Sequence, residues 1–307
     1  MRIVITGGLG FIGSHLTDLL LKQNHKITLI TKSLSKKTNI SHISKKIQLA
    51  KLDITNFSKL GTFIEKTKPD AIIHLAGNTS HSLSFEKPIS DIDSNAKSTL
   101  FILEKIRQNN LKCKLILGST FIVVGRPNKL PVDEKTACNP TTIYGTNRLA
   151  SEYYCKIYHE VYGIDTRIFR ITNSYGPREQ TIPKKNAVNF IIHSALKDKK
   201  ISIFGKGNFF RDIIFVSDVV SGINVIMKKG KPGNLYWISS NKKTWFYSLA
   251  KILKKQTGCT INYIPTPKYT KKVDVGNFVV NNTKLKSLGW KPKVSLEDGI
   301  KKTLDSF

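Results

Sequence analysis

Apolar residues along the first half of the chain fall into two alternating patterns. Short apolar-rich runs at residues 3–5, 27–30, 47–50, 71–75 and 114–118 have the length and composition of strands buried on both faces. Between them, apolar residues recur at helical spacing: Leu16, Leu19 and Leu20 after the first run, others across residues 56–66, and Leu100, Ile102, Leu103 and Ile106 within residues 90–107. The alternation predicts an α/β fold built on a doubly wound parallel sheet, because each parallel crossover needs a connection long enough to pack on the sheet. Residues 33–46, dominated by Ser, Lys and Thr, read as an exposed loop and short helix beside the second strand. From about Thr166 the regularity gives way to shorter segments punctuated by turn residues at 173–177, 205–208 and 265–267. A sheet domain over residues 1–170, joined by strands returning at about 209–240, and a smaller C-terminal α/β lobe over 171–307 are therefore expected.

Composition narrows the function classes. A chain of 307 residues with 40% hydrophobic content can bury a large core. The first apolar run starts at residue 3, leaving no room for a secretory leader, and no later stretch approaches a membrane span, so a cytoplasmic protein without a membrane partner is expected. Cys113, Cys138, Cys155 and Cys259 are scattered without a C-x-x-C pair, and the seven histidines include no H-E-x-x-H, so reduced thiols and no metal site are expected. A formal charge of +29 raises the question of nucleic acid. Yet 42 of the 50 basic residues are lysines, spread from Lys22 to Lys302 without aromatic interleaving. That is the pattern of a solvated coat; its field favours a polyanionic small substrate over a specific nucleic-acid partner.

Thr6-Gly7-Gly8-Leu9-Gly10-Phe11-Ile12-Gly13 joins the first predicted strand to an amphipathic helix. In that setting Gly7 permits the tight turn, Gly10 lets backbone approach a pyrophosphate, and Gly13 allows helix to pack on strand, while the helix N-terminus supplies N–H donors. The extended form resembles the extended short-chain dehydrogenase/reductase family, NAD-dependent epimerase/dehydratase type, with a Rossmann domain followed by a substrate-binding lobe. Leu52-Asp53-Ile54-Thr55 is similar to the family's adenine-contacting segment, His74-Leu75-Ala76-Gly77 to its loop beside the cofactor, and Asn95 to a structural asparagine on the next helix. The resemblance implies cofactor contacts from Gly7, Gly10, Phe11, Ile12, Gly13, Asp53, Ile54, Leu75, Ala76 and Gly77. It also implies a homodimer. NAD-using members end the second strand with an acidic residue; here Thr31-Lys32-Ser33 has none, and Lys32, Ser33, Lys36 and Lys37 suit a 2′-phosphate. This tilts the cofactor toward NADP, with NAD the alternative.

Tyr144 and Arg148 lie four residues apart in a helical run and share a face. Tyr144 matches the family's catalytic tyrosine. A free tyrosine titrates near pH 10, so a phenolate acting near neutrality needs a cation beside it. The family's usual lysine in Y-x-x-x-K, which also holds the nicotinamide ribose, is replaced by Arg148, which keeps the charge on a longer, planar fork. Three outcomes of that exchange compete: a working variant, which the intact surroundings favour, a slowed enzyme, or a non-catalytic cofactor-binding protein. Aligning Val124-Gly125 with the family's Tyr-Gly puts Thr120 at the catalytic Ser/Thr position, with Ser119 the alternative. Phe121-Ile122 follows where the 4,6-dehydratases carry an Asp-Glu pair, which disfavours water elimination; Ile122 also counts against the decarboxylases, which place a glutamate hereabouts. On the substrate side, Asn173-Ser174-Tyr175-Gly176-Pro177-Arg178 resembles the family's N-x-Y-G-P-R loop, and Arg211 falls in the segment whose arginine grips substrate phosphates. For Arg178 a turn-stabilising contact is an equal alternative. Together these features imply an NAD(P)-dependent nucleotide-diphosphate-sugar epimerase acting at carbon 4, with an NADP-dependent ketoreductase or dehydrogenase as the alternative.

Overall fold

The apolar runs form one parallel sheet. The computed structural model describes residues 1–181 and 187–307, with backbone alone at 269–271. In chain order the first half contains β1 (Arg2–Thr6), α1 (Phe11–Leu21), β2 (Lys26–Thr31), β3 (Gln48–Lys51), α2 (Phe57–Thr67), β4 (Ala71–His74), α3 (His81–Glu86), α4 (Pro88–Ile92), α5 (Ser98–Gln108), β5 (Lys114–Thr120), α6 (Ile143–Tyr162) and β6 (Thr166–Ile171). A 3-10 helix at Lys37–Lys46 fills the polar segment after β2. The second half contains β7 (Asn173–Tyr175), α7 (Ala187–Lys197), β8 (Lys200–Phe204), β9 (Phe210–Arg211), β10 (Ile213–Phe215), α8 (Val216–Lys229), β11 (Leu235–Ile238), β12 (Thr244–Trp245), α9 (Phe246–Thr257), β13 (Thr260–Ile264), α10 (Lys268–Val273), α11 (Thr283–Lys286) and α12 (Leu296–Leu304).

The main sheet runs β11-β6-β5-β4-β1-β2-β3, with every pairing parallel. The period of two sends Ile3 and Ile5 into the apolar layer under α1 and α8, and Val4 into the opposite layer under α2, α5 and α6. Chain order reverses at β1, which lies between β2 and β4, so a crevice opens beyond their carboxyl ends. Among the described residues, β11 alone of the later strands returns to this sheet. The rest form three two-stranded pairings, β7 with β10, β8 with β13 and β9 with β12, and α7, α9 and α12 contribute to a third apolar cluster around them.

One predicted helix is interrupted. Residues 90–107 comprise the end of α4, a π-helical turn at Asp93–Lys97, and α5, and the Ser98 N–H reaches back five residues to the Asp93 carbonyl. At this turn the Asn95 carbonyl accepts the hydroxyls of Thr99 and, from α6, Ser151, both at 2.9 Å. The break therefore ties α6, which carries Tyr144 and Arg148, to the segment beside β4. No described helix is long and apolar enough to cross a membrane.

Candidate active site

The carboxyl ends of β1, β2, β4, β5 and β6 open into a cleft of about 1380 Å³ that continues between the main sheet and the smaller pairings. Gly7, Gly10, Phe11, Ile12 and Gly13 line one end of it. Gly7 has φ +72°, and a Cβ there would lie 3.0 Å from the Ala76 nitrogen; a Cβ on Gly13 would come within 2.4 Å of the Gly7 carbonyl oxygen. Gly10 starts α1 with no side chain capping it, which leaves the first-turn N–H donors for a ligand. A cradle that any side chain would fill, facing uncapped donors, fits a dinucleotide pyrophosphate.

Thr31, Lys32, Asp53 and Ile54 line the adjoining wall. Asp53 accepts the Thr55 N–H and hydroxyl at 3.0 and 2.8 Å, and Lys32 stands 3.3 Å away. Partial burial opposes its charge, but the Thr55 bonds and Lys32 outweigh it and hold the carboxyl below its ordinary range. Leu75, Ala76 and Gly77 follow β4. Thr6 fixes them by accepting the Leu75 and Ala76 N–H groups, both at 3.1 Å.

Tyr144 sits in the first turn of α6, started by Thr142, whose hydroxyl caps the Gly145 N–H at 3.0 Å. Arg148 lies one turn on, its guanidinium carbon 5.8 Å from the Tyr144 ring centre. Arg148 is 3% exposed, its Nη1 donates to the Gly118 carbonyl at 3.1 Å, and its Nε has no partner. Among the described residues no carboxylate pairs with it. A buried guanidinium with no carboxylate partner among the described residues thus stands beside the Tyr144 ring. Thr120 ends β5 in the cleft, accepting the Ile122 N–H at 3.3 Å and keeping its own proton for a ligand. Ser119 behaves differently: its hydroxyl donates to Glu152, which also holds Arg170 at 2.6 and 2.9 Å. Phe121 and Ile122 line the cleft beside Thr120, with no carboxylate in that position.

On the substrate side Asn173 and Arg211 line the cleft, whereas Arg178 is not among the lining residues. Arg178 has φ +67°, and its Nη1 donates to Asp18 of α1 at 2.8 Å, a contact that pins the turn after Gly176-Pro177. Arg211 holds Asp274 through two bonds of 2.6 and 2.8 Å, so an incoming phosphate would share or displace that carboxylate. Two features had no signal in the sequence. His81 lines the cleft with its ring centre 5.5 Å from that of Tyr144. Burial pushes its imidazole toward the neutral form, with Asp274 opposing. Asp91, 1% exposed, accepts the side-chain amides of Asn78 at 2.6 Å and Asn147 at 2.7 Å, clamping the loop after Gly77 to the residue before Arg148. The partners of Asp91 lie 13 and 56 residues away, beyond any local spacing rule.

The family model described as GDP-mannose 4,6 dehydratase matches residues 4–303. This chain belongs to the extended short-chain dehydrogenase/reductase family of NAD-dependent epimerases and dehydratases. It is 32% identical over 305 residues to a candidate UDP-glucose 4-epimerase of Methanocaldococcus jannaschii, covering 99% of this chain and 97% of that one. The crystal structure of a Thermotoga maritima UDP-glucose 4-epimerase with UDP-glucose superposes with a TM-score of 0.92 at 30% identity, covering 100% and 98% of the two chains. A Bacillus cereus UDP-glucuronic acid 4-epimerase, solved with UDP-glucuronic acid and NAD, gives a TM-score of 0.88 at 27% identity over 100% and 98%. The relatives of this chain include sugar-nucleotide epimerases, dehydratases and a decarboxylase.

Proposed function

We infer that the protein is a nicotinamide-dependent nucleotide-diphosphate-sugar epimerase that inverts carbon 4 of a hexose. The observation that carries this reading is the cleft wall around Tyr144: Arg148 stands beside it and Thr120 lines the same cleft, while Phe121 and Ile122 offer no acid for eliminating water. Full-length likeness to proteins named as UDP-glucose 4-epimerases points the same way. The nicotinamide, when bound, supplies the hydride acceptor and donor. Tyr144 removes the proton of the sugar hydroxyl as that carbon is oxidised and returns it when the ketone is reduced on its other face, so no proton is gained or lost overall. Thr120 donates to the reacting oxygen and aligns it. Arg148 is the cation that would hold the phenolate.

Lys32, Ser33, Ser35 and Lys36 line the cleft at the end of β2, which carries no carboxylate, and this supports NADP over NAD. The same feature favours the second reading, a one-way ketoreductase. Arg211 and Asn173 mark the diphosphate end of the substrate site. The assembly proposed is a homodimer, for which Tyr153, Ile157 and Val161 of α6, spaced by four and 48–64% exposed, with Ile89 of α4 at 70%, present an apolar face.

The function is tested by incubating the purified protein with a panel of nucleotide sugars. Interconversion of 4-epimers without net cofactor use is expected, with Tyr144→Phe lowering kcat by about 10²–10⁴-fold. Steady NADPH consumption on a keto-sugar would establish the reductase instead. Cofactor released from the denatured protein is expected to be NADP; NAD alone would overturn the phosphate preference.

A further inference from the structure

His81 is the first residue of α3, and its place is fixed from below. The Ser80 hydroxyl caps the Leu83 N–H at 3.2 Å, Asn78 Oδ1 accepts the Ser80 N–H at 3.0 Å, and Asn78 is itself held by Asp91. The imidazole is thereby presented to the cleft, inclined 32° to the Tyr144 ring. His15, His25, His42, His74 and His159 each bond a protein group through a ring nitrogen. Neither nitrogen of His81 has a hydrogen-bond partner among the described residues. A half-buried imidazole facing a cleft, with neither nitrogen bonded to a described residue, has a donor and an acceptor to offer a ligand.

Its position says which part of the ligand. The Asp274 carboxylate, bonded to Arg211, is near enough to act on His81 electrostatically. His81, Tyr144 and Arg211 line the same cleft, and the imidazole lies against the Tyr144 ring, so a hexose that presents a hydroxyl to Tyr144 would also pass His81. The geometry points to His81 as a substrate-contacting specificity residue, whose imidazole hydrogen-bonds a hexose hydroxyl neighbouring the one that Tyr144 deprotonates. This rests on the nucleotide-sugar reading above. Being neutral, the ring offers one donor and one acceptor, so it can stay bonded to that hydroxyl whichever face of the sugar is presented.

Two variants test the contact. His81→Phe keeps a ring against Tyr144 and removes both nitrogens, whereas His81→Gln keeps a donor and an acceptor. UDP-glucose and UDP are titrated calorimetrically into the cofactor-loaded wild type and both variants, with thermal unfolding as a control. For His81→Phe the expected result is about tenfold weaker binding of UDP-glucose with UDP unchanged, and His81→Gln recovering most of the loss. If His81→Phe weakens both ligands by the same factor, or neither, the sugar contact is overturned. Failure of the epimerase reading shows separately, as wild-type protein that binds UDP-glucose without converting it.

Discussion

Thr6 accepts N–H bonds from Leu75 and Ala76, so its single proton goes to His74 Nδ1 at 2.7 Å. His74 must then carry its proton on Nε2, facing the Ser98 oxygen at 3.1 Å, and Ser98 passes its own to the Ser94 carbonyl at 2.8 Å. A second proton on His74 would meet an oxygen with no free lone pair. Complete burial, with Arg148 adding repulsion, lowers the imidazole to about 3. The folded state therefore holds His74 neutral, and its contribution to stability is complete above the ordinary value of 6.5 and fades as pH falls toward 3. Urea unfolding of wild type and His74→Gln should show their stability difference shrinking below pH 6.5, by up to roughly 1.4 kcal/mol per pH unit; a pH-independent difference would refute the assignment. At the same scale, Arg148→Lys loses the bond to the Gly118 carbonyl but keeps a cation near Tyr144, so kcat within about tenfold of wild type is expected in the epimerase assay. The juxtaposition of Tyr144 with Arg148 and the tight glycine turn were legible because both follow from spacing within one turn or one loop. His81 and Asp91 were not, because nothing local relates residue 81 to 144 or 91 to 147.

Among the elements, β1, its loop and α1 behave as one unit whose geometry is set by backbone contact. An alanine methyl at Gly13 would press on the Gly7 oxygen at 2.4 Å and Gly8 Cα at 2.8 Å, and neither can swing aside as a side-chain tip would. Gly13→Ala is expected to purify without cofactor and to melt several degrees lower, read by released nucleotide and by thermal unfolding. Retention of full cofactor content would show that the loop tolerates the shift. The strands were legible nearly to their ends because a parallel strand buried on both faces is apolar throughout. The π turn at Asp93–Lys97 was not, since its residues keep helical polarity and the gain, the Ser151 bond to the Asn95 carbonyl, lies on α6.

Across the whole molecule the apolar residues Tyr153, Ile157 and Val161 remain exposed on α6, the helix whose opposite face carries buried Tyr144, Arg148 and Ser151. If that face joins two copies, Ile157→Glu should convert a dimer to a monomer by light scattering, with the monomer less stable because α6 loses its cover. A wild type that scatters as a monomer would remove this proposal while leaving the cleft untouched. The sequence by itself determined the alternating elements, the glycine cradle and the Tyr144-Arg148 pair, since periodicity and short spacing are local consequences of helix and strand geometry. Tertiary structure alone showed that the Ser119 hydroxyl is taken, because Glu152 reaches it from 33 residues away, whereas the sequence had already favoured Thr120. It likewise turned Arg178 to Asp18 and gave Arg211 to Asp274, since a long charged side chain takes whichever partner the fold brings within reach, and that partner leaves no mark on its neighbours in the chain.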